Sequence, residues 1–339
     1  MVDFEWIKQT IASWYGLEVT IAWKVRDAWR VETPSGPKCF KQVEAPPARV
    51  KFTAAAVRYL VNNGFAETVP FLKTVQNSYL IDLPEGVFYL TDWIHGREGD
   101  MSNFQDIMSA SKVLAKFHRA SIGFFPPDDC KPRESWGDLP DDWQKRKQQL
   151  EKFIQLARQQ NDEFSKLYLD SCAWYIFRCA KALEILRSCD YEGLVTKAKL
   201  QGSLCHRDFT YHNFIIDQYS NLYIIDFDYC TQEIRAYDIG RFARKVGKNI
   251  HWQLSPVKLI LQTYNEESVL TDDELVFILA FLYFPQRFWR LASRYFSGDG
   301  PTDKDYCKQL RSEIRDQKLE ENFLIQLSLE SSRGVLIRR

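Results

Sequence analysis

The chain has 339 residues, of which 45% are hydrophobic, 27% charged and 14% aromatic, so it can build about two domains or lobes around a substantial core. Forty-five basic and forty-five acidic side chains cancel to a formal net charge of zero, which argues against a nucleic-acid binder, because counterion release needs concentrated basic surface and no long basic run occurs. The eight cysteines contain no C-x-x-C pair and read as reduced, mostly buried thiols. The opening M-V-D-F-E-W-I-K-Q-T has neither the basic region nor the apolar run of a signal peptide, and no stretch approaches membrane-spanning length. Cytoplasmic synthesis without a membrane partner is the expectation.

Phe4, Ile7, Ile11 and Trp14 recur at helical spacing between Asp3 and Tyr15, and Gly16 is a plausible stop. Three apolar segments follow, Leu17 to Val25, Ala28 to Thr33 and Lys38 to Val43, joined by Arg26-Asp27 and Pro34-Ser35-Gly36-Pro37, which predicts an antiparallel meander. Lys41 lies on the third strand, at the position where a kinase-like small lobe carries its phosphate-binding lysine; Lys38 faces the other side because side chains alternate.

Pro46-Pro47 opens a helix that runs to Asn63 with Gly64 as its cap. Arg49 to Asn63 contains no acidic residue to pair with Lys41, and the nearest acids are Glu44 and Glu67. The first strand connection, K-V-R-D-A-W, lacks glycine, so phosphate cover must come from an arrangement other than a glycine-rich loop.

Ser78 to Leu83 and Val87 to Ile94, separated by Pro84-Glu85-Gly86, read as a second hairpin, with Gly96 as a hinge between lobes. The main chain of Thr91, Asp92, Trp93 and Ile94 is placed to receive an adenine edge. From Ser102, which forms an apparent capping box with Gln105, the chain is predominantly helical. Phe124 to Pro140 is a loop, Asp141 to Cys189 supplies long helices, and the segment Phe284 to Phe296 is an amphipathic helix of the C-terminal part.

The stretch from Leu204 to Asp228 carries the chemistry. It contains H-R-D-F-T-Y-H-N followed by I-I-D-F-D, with five steps from Asp208 to Asn213 and thirteen from Asn213 to Asp226. In the kinase pattern the first Asp orients the acceptor hydroxyl, the Asn holds a metal ion, and the later Asp holds Mg2+ against the nucleotide phosphates. Phe214 to Asp217 and Leu222 to Phe227 read as two strands about a turn at Tyr219, Ser220 and Asn221, so one hairpin brings three separated residues to one edge. A zinc hydrolase built on His206 and His212 has no H-E-x-x-H or cysteine cluster to support it. Asp238, in R-A-Y-D-I-G-R-F, reads as an acid on the first turn of a helix.

The segments Y-G-L-E-V, G-P-K-C-F-K, L-C-H-R-D-F-T-Y-H-N, I-I-D-F-D, Y-D-I-G-R and F-P-Q-R-F-W-R-L-A-S, in this order, resemble the CotS family of spore-coat proteins, within the aminoglycoside phosphotransferase-like branch of the protein-kinase-like superfamily. The resemblance implies an α+β, two-lobed kinase-like fold: an N-lobe of residues 1–95 with a small antiparallel sheet, and a mainly helical C-lobe of residues 96–339. It implies ATP and Mg2+ as cofactors, Asp208, Asn213 and Asp226 as the catalytic set, Lys41 on the phosphates, and Asn213 and Asp226 as metal ligands. Asp228 stands where D-F-G has glycine, in the D-x-D form of the small-molecule kinases, as an additional metal group. The implied activity is phosphate transfer to a hydroxyl of a small molecule, saccharide or protein, with other coat proteins as partners and the spore coat as location. A binding or structural coat component that has lost catalysis is the alternative.

Overall fold

The computed structural model describes residues 2–131, 136–160, 162–298, 303–332, 334 and 336–337. It opens with α1 (Phe4–Tyr15), where Asp3 Oδ1 accepts from the Trp6 backbone at 2.9 Å and Gly16 closes the helix at φ 65°. The apolar face of α1, with Ile7, Ile11 and Tyr15, shares one core with Val31, Phe40, Phe88 and Leu90. Those four side chains come from an antiparallel sheet of β1 (Ile21–Val25), β2 (Ala28–Glu32) and β3 (Lys38–Val43), then, after α2 (Pro47–Asn62), β4 (Ile81–Leu83) and β5 (Gly86–Asp92). The order is β1-β2-β3-β5-β4, so β3 is central and pairs Lys41 with Ala28 on one side and Tyr89 on the other. Phe40 points into the core, and strand alternation therefore gives Lys41 to the opposite face.

The chain continues through β6 (Arg97–Glu98), α3 (Phe104–Ser121), α4 (Leu139–Gln160), α5 (Glu163–Arg187), α6 (Tyr191–Gln201) and β7 (Leu204–Cys205). Next come β8 (Phe214–Ile216), β9 (Leu222–Ile224) and β10 (Thr231–Gln232). The six remaining helices are α7 (Ala236–Asn249), α8 (Leu254–Glu267), α9 (Asp272–Tyr283), α10 (Gln286–Phe296), α11 (Asp303–Arg315) and α12 (Gln317–Ser332). Short antiparallel pairs join β6 to β8, β8 to β9, and β7 to β10.

Two compact units result. One comprises Met1–Asp100, Lys112–Glu134 and Ala198–Glu233; the other comprises Met101–Ser111, Ser135–Lys197 and Ile234–Arg339. The first holds both the five-stranded sheet and the β8-β9 hairpin. The second is helical, and its interior includes a buried Arg178–Glu320 ion pair at 2.8 Å, with Arg178 also donating to the carbonyls of Leu282 and Tyr283. The α+β expectation is met.

Two local expectations are corrected. The N-terminus of α3 is capped by Asn103, whose Oδ1 accepts from Gln105 at 2.8 Å and Asp106 at 3.3 Å, rather than by a Ser102/Gln105 box. The second strand of the hairpin stops at Ile224 instead of Phe227, because Asp226 is left-handed at φ 65° and cannot continue a ladder. All eight cysteines are free, five of them buried. Among the described residues, no single helix is long and apolar enough to cross a membrane.

Candidate active site

The β8-β9 hairpin is held to its surroundings by main-chain bonds. Gly99 donates to the Phe214 carbonyl at 3.0 Å, Ile224 to Glu67 at 2.8 Å, and Ile225 to Asn213 at 3.0 Å. Gly96 is required for a reason the hinge reading did not contain: a Cβ there would stand 2.4 Å from the Ile216 carbonyl oxygen. The close approach that glycine permits lets β6 lie against β8.

His206 is fully buried and structural. Its Nδ1 accepts from the Asp208 backbone at 3.3 Å while Nε2 lies 3.0 Å from the Ile225 carbonyl, so one neutral ring ties the start of the 206–213 loop to the end of the hairpin. Arg207, left-handed at φ 67°, makes the tight bend between them. Asn213, at the end of a single 3-10 turn, donates from Nδ2 to the Asp208 carbonyl at 2.9 Å and to Asp208 Oδ2 at 3.1 Å. The amide nitrogen is thereby spent, which leaves Oδ1 as the end available to a cation. His212 Nε2 lies 3.8 Å from Asp208 Oδ2.

A cavity of about 600 Å3 is lined by Lys41, Thr91, Asp92, Trp93, Ile94, Asn213 and Asp226, together with Val25, Ala28, Phe71 and Ile215 among others. That volume and its largely apolar wall suit a nucleotide-sized ligand. Asp208 adjoins the cavity through its bond to Asn213, and Asp228 through Lys41. All of these residues belong to the first compact unit. Within the 91–94 segment, the Trp93 N–H is already donated to Pro37 at 3.0 Å and the Asp92 carboxylate pairs with Lys38 at 2.9 Å.

Lys41 is the electrostatic centre. Its Nζ lies 2.8 Å from Asp226 Oδ1, 2.9 Å from Asp228 Oδ2 and 3.2 Å from Asp27 Oδ2. Burial alone would depress the ammonium, but Asp228 and Asp226 outweigh it and hold its pKa above the ordinary lysine value. Burial pushes the Asp228 carboxyl above the usual carboxylate range against the pull of Lys41. The Tyr89 phenol is raised by burial and by Asp228, so it stays protonated and donates to Asp228 Oδ1 at 3.3 Å.

Neither Glu44 nor Glu67 serves as the partner of Lys41. Glu67 is committed to Lys116 at 2.7 Å. Helix α2 contributes a cation in place of an acid: buried Arg49 donates to the Cys230 carbonyl and, at 3.4 Å, to that of Asp228, pinning the segment after Asp226.

Three participants escaped the sequence reading. Asp27 is findable from the meander, since pairing Ala28 with Lys41 places its neighbour beside the lysine. Tyr89 follows from the β3-β5 register, which has no local signal. Arg49 was signalled by an anomaly: a basic residue in the first turn of a helix opposes the helix dipole and calls for acceptors elsewhere.

Residues 8–327 match the family described as "Spore coat putative kinase YutH". The chain is similar to spore coat protein S of Bacillus subtilis (strain 168), 24% identical over 306 residues, covering 89% of this chain and 87% of that protein. Among solved structures it is similar to an aminoglycoside phosphotransferase from Alicyclobacillus acidocaldarius, at TM-score 0.87 and 19% identity, covering 98% of each chain. A spectinomycin phosphotransferase holding ADP and spectinomycin matches at TM-score 0.63 and 14% identity, over 98% of this chain and 99% of that one. An amicoumacin kinase holding AMP-PNP and Ca2+ matches at TM-score 0.62 and 12% identity, over 95% and 94%. The fold is that of the kinase-like aminoglycoside phosphotransferases.

Proposed function

The chain belongs to the YutH family of spore coat kinase-like proteins, and from that premise we propose that it binds ATP with Mg2+ in the cavity around Lys41 and transfers phosphate to a hydroxyl of a small molecule, saccharide or protein of the spore coat. The observation that carries this reading is the convergence of Lys41, Asn213 and Asp226 on one cavity, with Asp208 hydrogen-bonded to Asn213 at 3.1 Å.

In this reading the wall of the cavity receives the base, with the main chain near Ile94 at its edge. Asn213 Oδ1 and the Asp226 carboxylate are hard oxygen donors of the kind Mg2+ takes, so the donor set fits that ion. Bound there, Mg2+ supplies charge neutralisation to the nucleotide phosphates. Lys41 adds positive charge on the same side, and its stem is fixed by the sheet. Asp208, held by Asn213 and by the His206 ring, accepts the proton of the acceptor hydroxyl and orients it. Asp228, implied as an additional metal group, also lies 2.9 Å from Lys41 Nζ, and in this reading its principal role is to partner that lysine, as a helix acid does in other kinases.

One observation favours a binding module without transfer. Asp27, at the tip of the β1-β2 turn, puts a carboxylate 3.2 Å from Lys41 where backbone amides would otherwise meet phosphate. Calorimetric titration of ATP with and without Mg2+, followed by a search for labelled phosphate on coat extracts, separates the readings. Mg2+-dependent binding with transfer supports a kinase; binding without transfer supports the module; absence of binding to folded protein overturns the nucleotide site. Asp226→Ala should abolish the metal dependence while the fold persists, and unchanged binding would sink the metal assignment.

A further inference from the structure

Helix α10 carries Arg287, Arg290 and Arg294 at spacings of three and four, which place them on one face, while Phe288, Leu291 and Ala292 are buried on the other. Helix α7 adds Arg241 and Arg244, one turn apart. The two helices are tied to one carboxylate: Glu313 of α11 lies 2.5 Å from Lys248 of α7 and 3.4 Å from Arg287 of α10. The other nearby acid, Glu320, is taken by Arg178.

Among the described residues, Arg290 and Arg294 add charge here that the ion pairs of Glu313 and Glu320 do not take up. Arg290 and Arg294 are exposed and form no ion pair among the described residues. Desolvation, followed by the neighbouring Arg294, Arg287 and Arg241, holds the Arg290 guanidinium below its ordinary value, and only Glu313 pulls the other way. Arg244 supplies a separate sign. Among the described residues its buried Nε and Nη2 have no acceptor, and its guanidinium lies 4.6 Å from the Phe281 ring centroid. Buried guanidinium N–H groups without acceptors are costly, so such a group persists where it serves a ligand or a state that supplies one.

Like charges gathered at a surface are stabilised by a multivalent anion, and guanidinium forks match phosphate oxygens in pairs. We propose that the arginines of α7 and α10 form a phosphate-binding site in the helical unit, held principally by Arg287, Arg290 and Arg294 and distinct from the nucleotide cavity, none of whose lining residues it shares. The ligand class is a phosphate ester or polyphosphate with at least two charges. A ligand of this class is bound without metal, since among the described residues the face carries cations and its carboxylate Glu313 is paired.

The test is calorimetric titration of the whole chain with inorganic pyrophosphate in buffer containing EDTA, with citrate as a carboxylate anion of comparable charge. Pyrophosphate should bind, and citrate should bind at least tenfold more weakly. The double variant Arg290→Ala/Arg294→Ala should lose at least tenfold in pyrophosphate affinity; both positions are exposed, and an unchanged circular dichroism spectrum checks the fold. Arg290→Lys/Arg294→Lys should recover only part of the loss, because the charge returns without the fork. Lys41→Ala should leave this binding unaltered. No pyrophosphate binding, or equal binding to the double alanine variant, overturns the site. Equal affinity for citrate overturns the phosphate class, and loss of binding in Lys41→Ala assigns the anion to the nucleotide cavity instead.

Discussion

Lys41 Nζ lies 2.9 Å from Asp228 Oδ2, so an acid that holds this lysine comes from the segment after the hairpin and not from the helix that follows the lysine's own strand. Helix α2 has no acid in its first turn or beyond, and instead offers Arg49 to the carbonyls of Asp228 and Cys230. The roles are exchanged between two elements: the helix fixes the backbone of the segment, and the segment fixes the lysine.

Asp228→Asn should therefore impair the lysine rather than the metal. ATP affinity measured with saturating Mg2+ is expected to fall about tenfold, the equivalent of about 1.4 kcal/mol, while the Mg2+ concentration for half-maximal binding stays near that of the unaltered protein. Asp226→Asn, which also removes charge 2.8 Å from Lys41 Nζ, should in addition raise the Mg2+ concentration for half-maximal binding. Identical metal curves for the two variants would contradict the division of labour.

Arg49→Ala removes donors to two main-chain carbonyls at a buried position. Hydrogen bonds from charged groups contribute about 1.5–3 kcal/mol, so a denaturant midpoint shift equivalent to about 2 kcal/mol is expected, along with weaker nucleotide binding. Arg49→Lys, which keeps one charged donor, should regain part of both. A variant of unaltered stability would show that the segment stands without the helix.

Gly96→Ala tests the approach of β6 to β8. The added methyl would meet the Ile216 carbonyl at 2.4 Å, a backbone atom that cannot swing aside. Overpacking of this kind costs about 1–3 kcal/mol, and thermal unfolding should register it. A substitution at Gly36, where an added Cβ meets nothing within 4 Å, provides a control for space, though its φ of 96° carries a conformational cost of its own.

Glu274 gives a pH-dependent outcome in the helical unit. It accepts from Arg235 Nε at 2.5 Å and Nη2 at 2.8 Å and closes the capping box of α9 with Thr271. Burial would raise its carboxyl, but Arg235 prevails and its pKa lies below the ordinary value. A depressed carboxyl stabilises the fold above its unfolded pKa, about 4.3 for glutamate, and that contribution is lost as the pH falls through the folded value. Glu274→Gln should thus destabilise the protein by about 2–4 kcal/mol at pH 7, and chemical denaturation should find the difference shrinking below about pH 4. A difference that is constant with pH would mean the charge is not what matters.

The one-dimensional pattern determined the elements of this protein and the candidate residues of its site. Apolar residues at helical spacing, together with Asp3 and Gly16, define α1, because period and caps are local properties of the chain. Likewise the spacing from Asp208 through Asn213 to Asp226 marks the residues proposed for phosphoryl transfer, since a single loop and hairpin carry them. What the sequence could not contain is which groups share the lysine's charge. Tyr89 and Asp228 reach Lys41 or its partner only through strand register and the left-handed turn at Asp226, and Arg49 meets residues 179 and 181 positions away. Ion pairing in a buried site depends on distances of a few ångströms between remote segments, and such distances are fixed only when the sheet, the helix and the hairpin pack against one another.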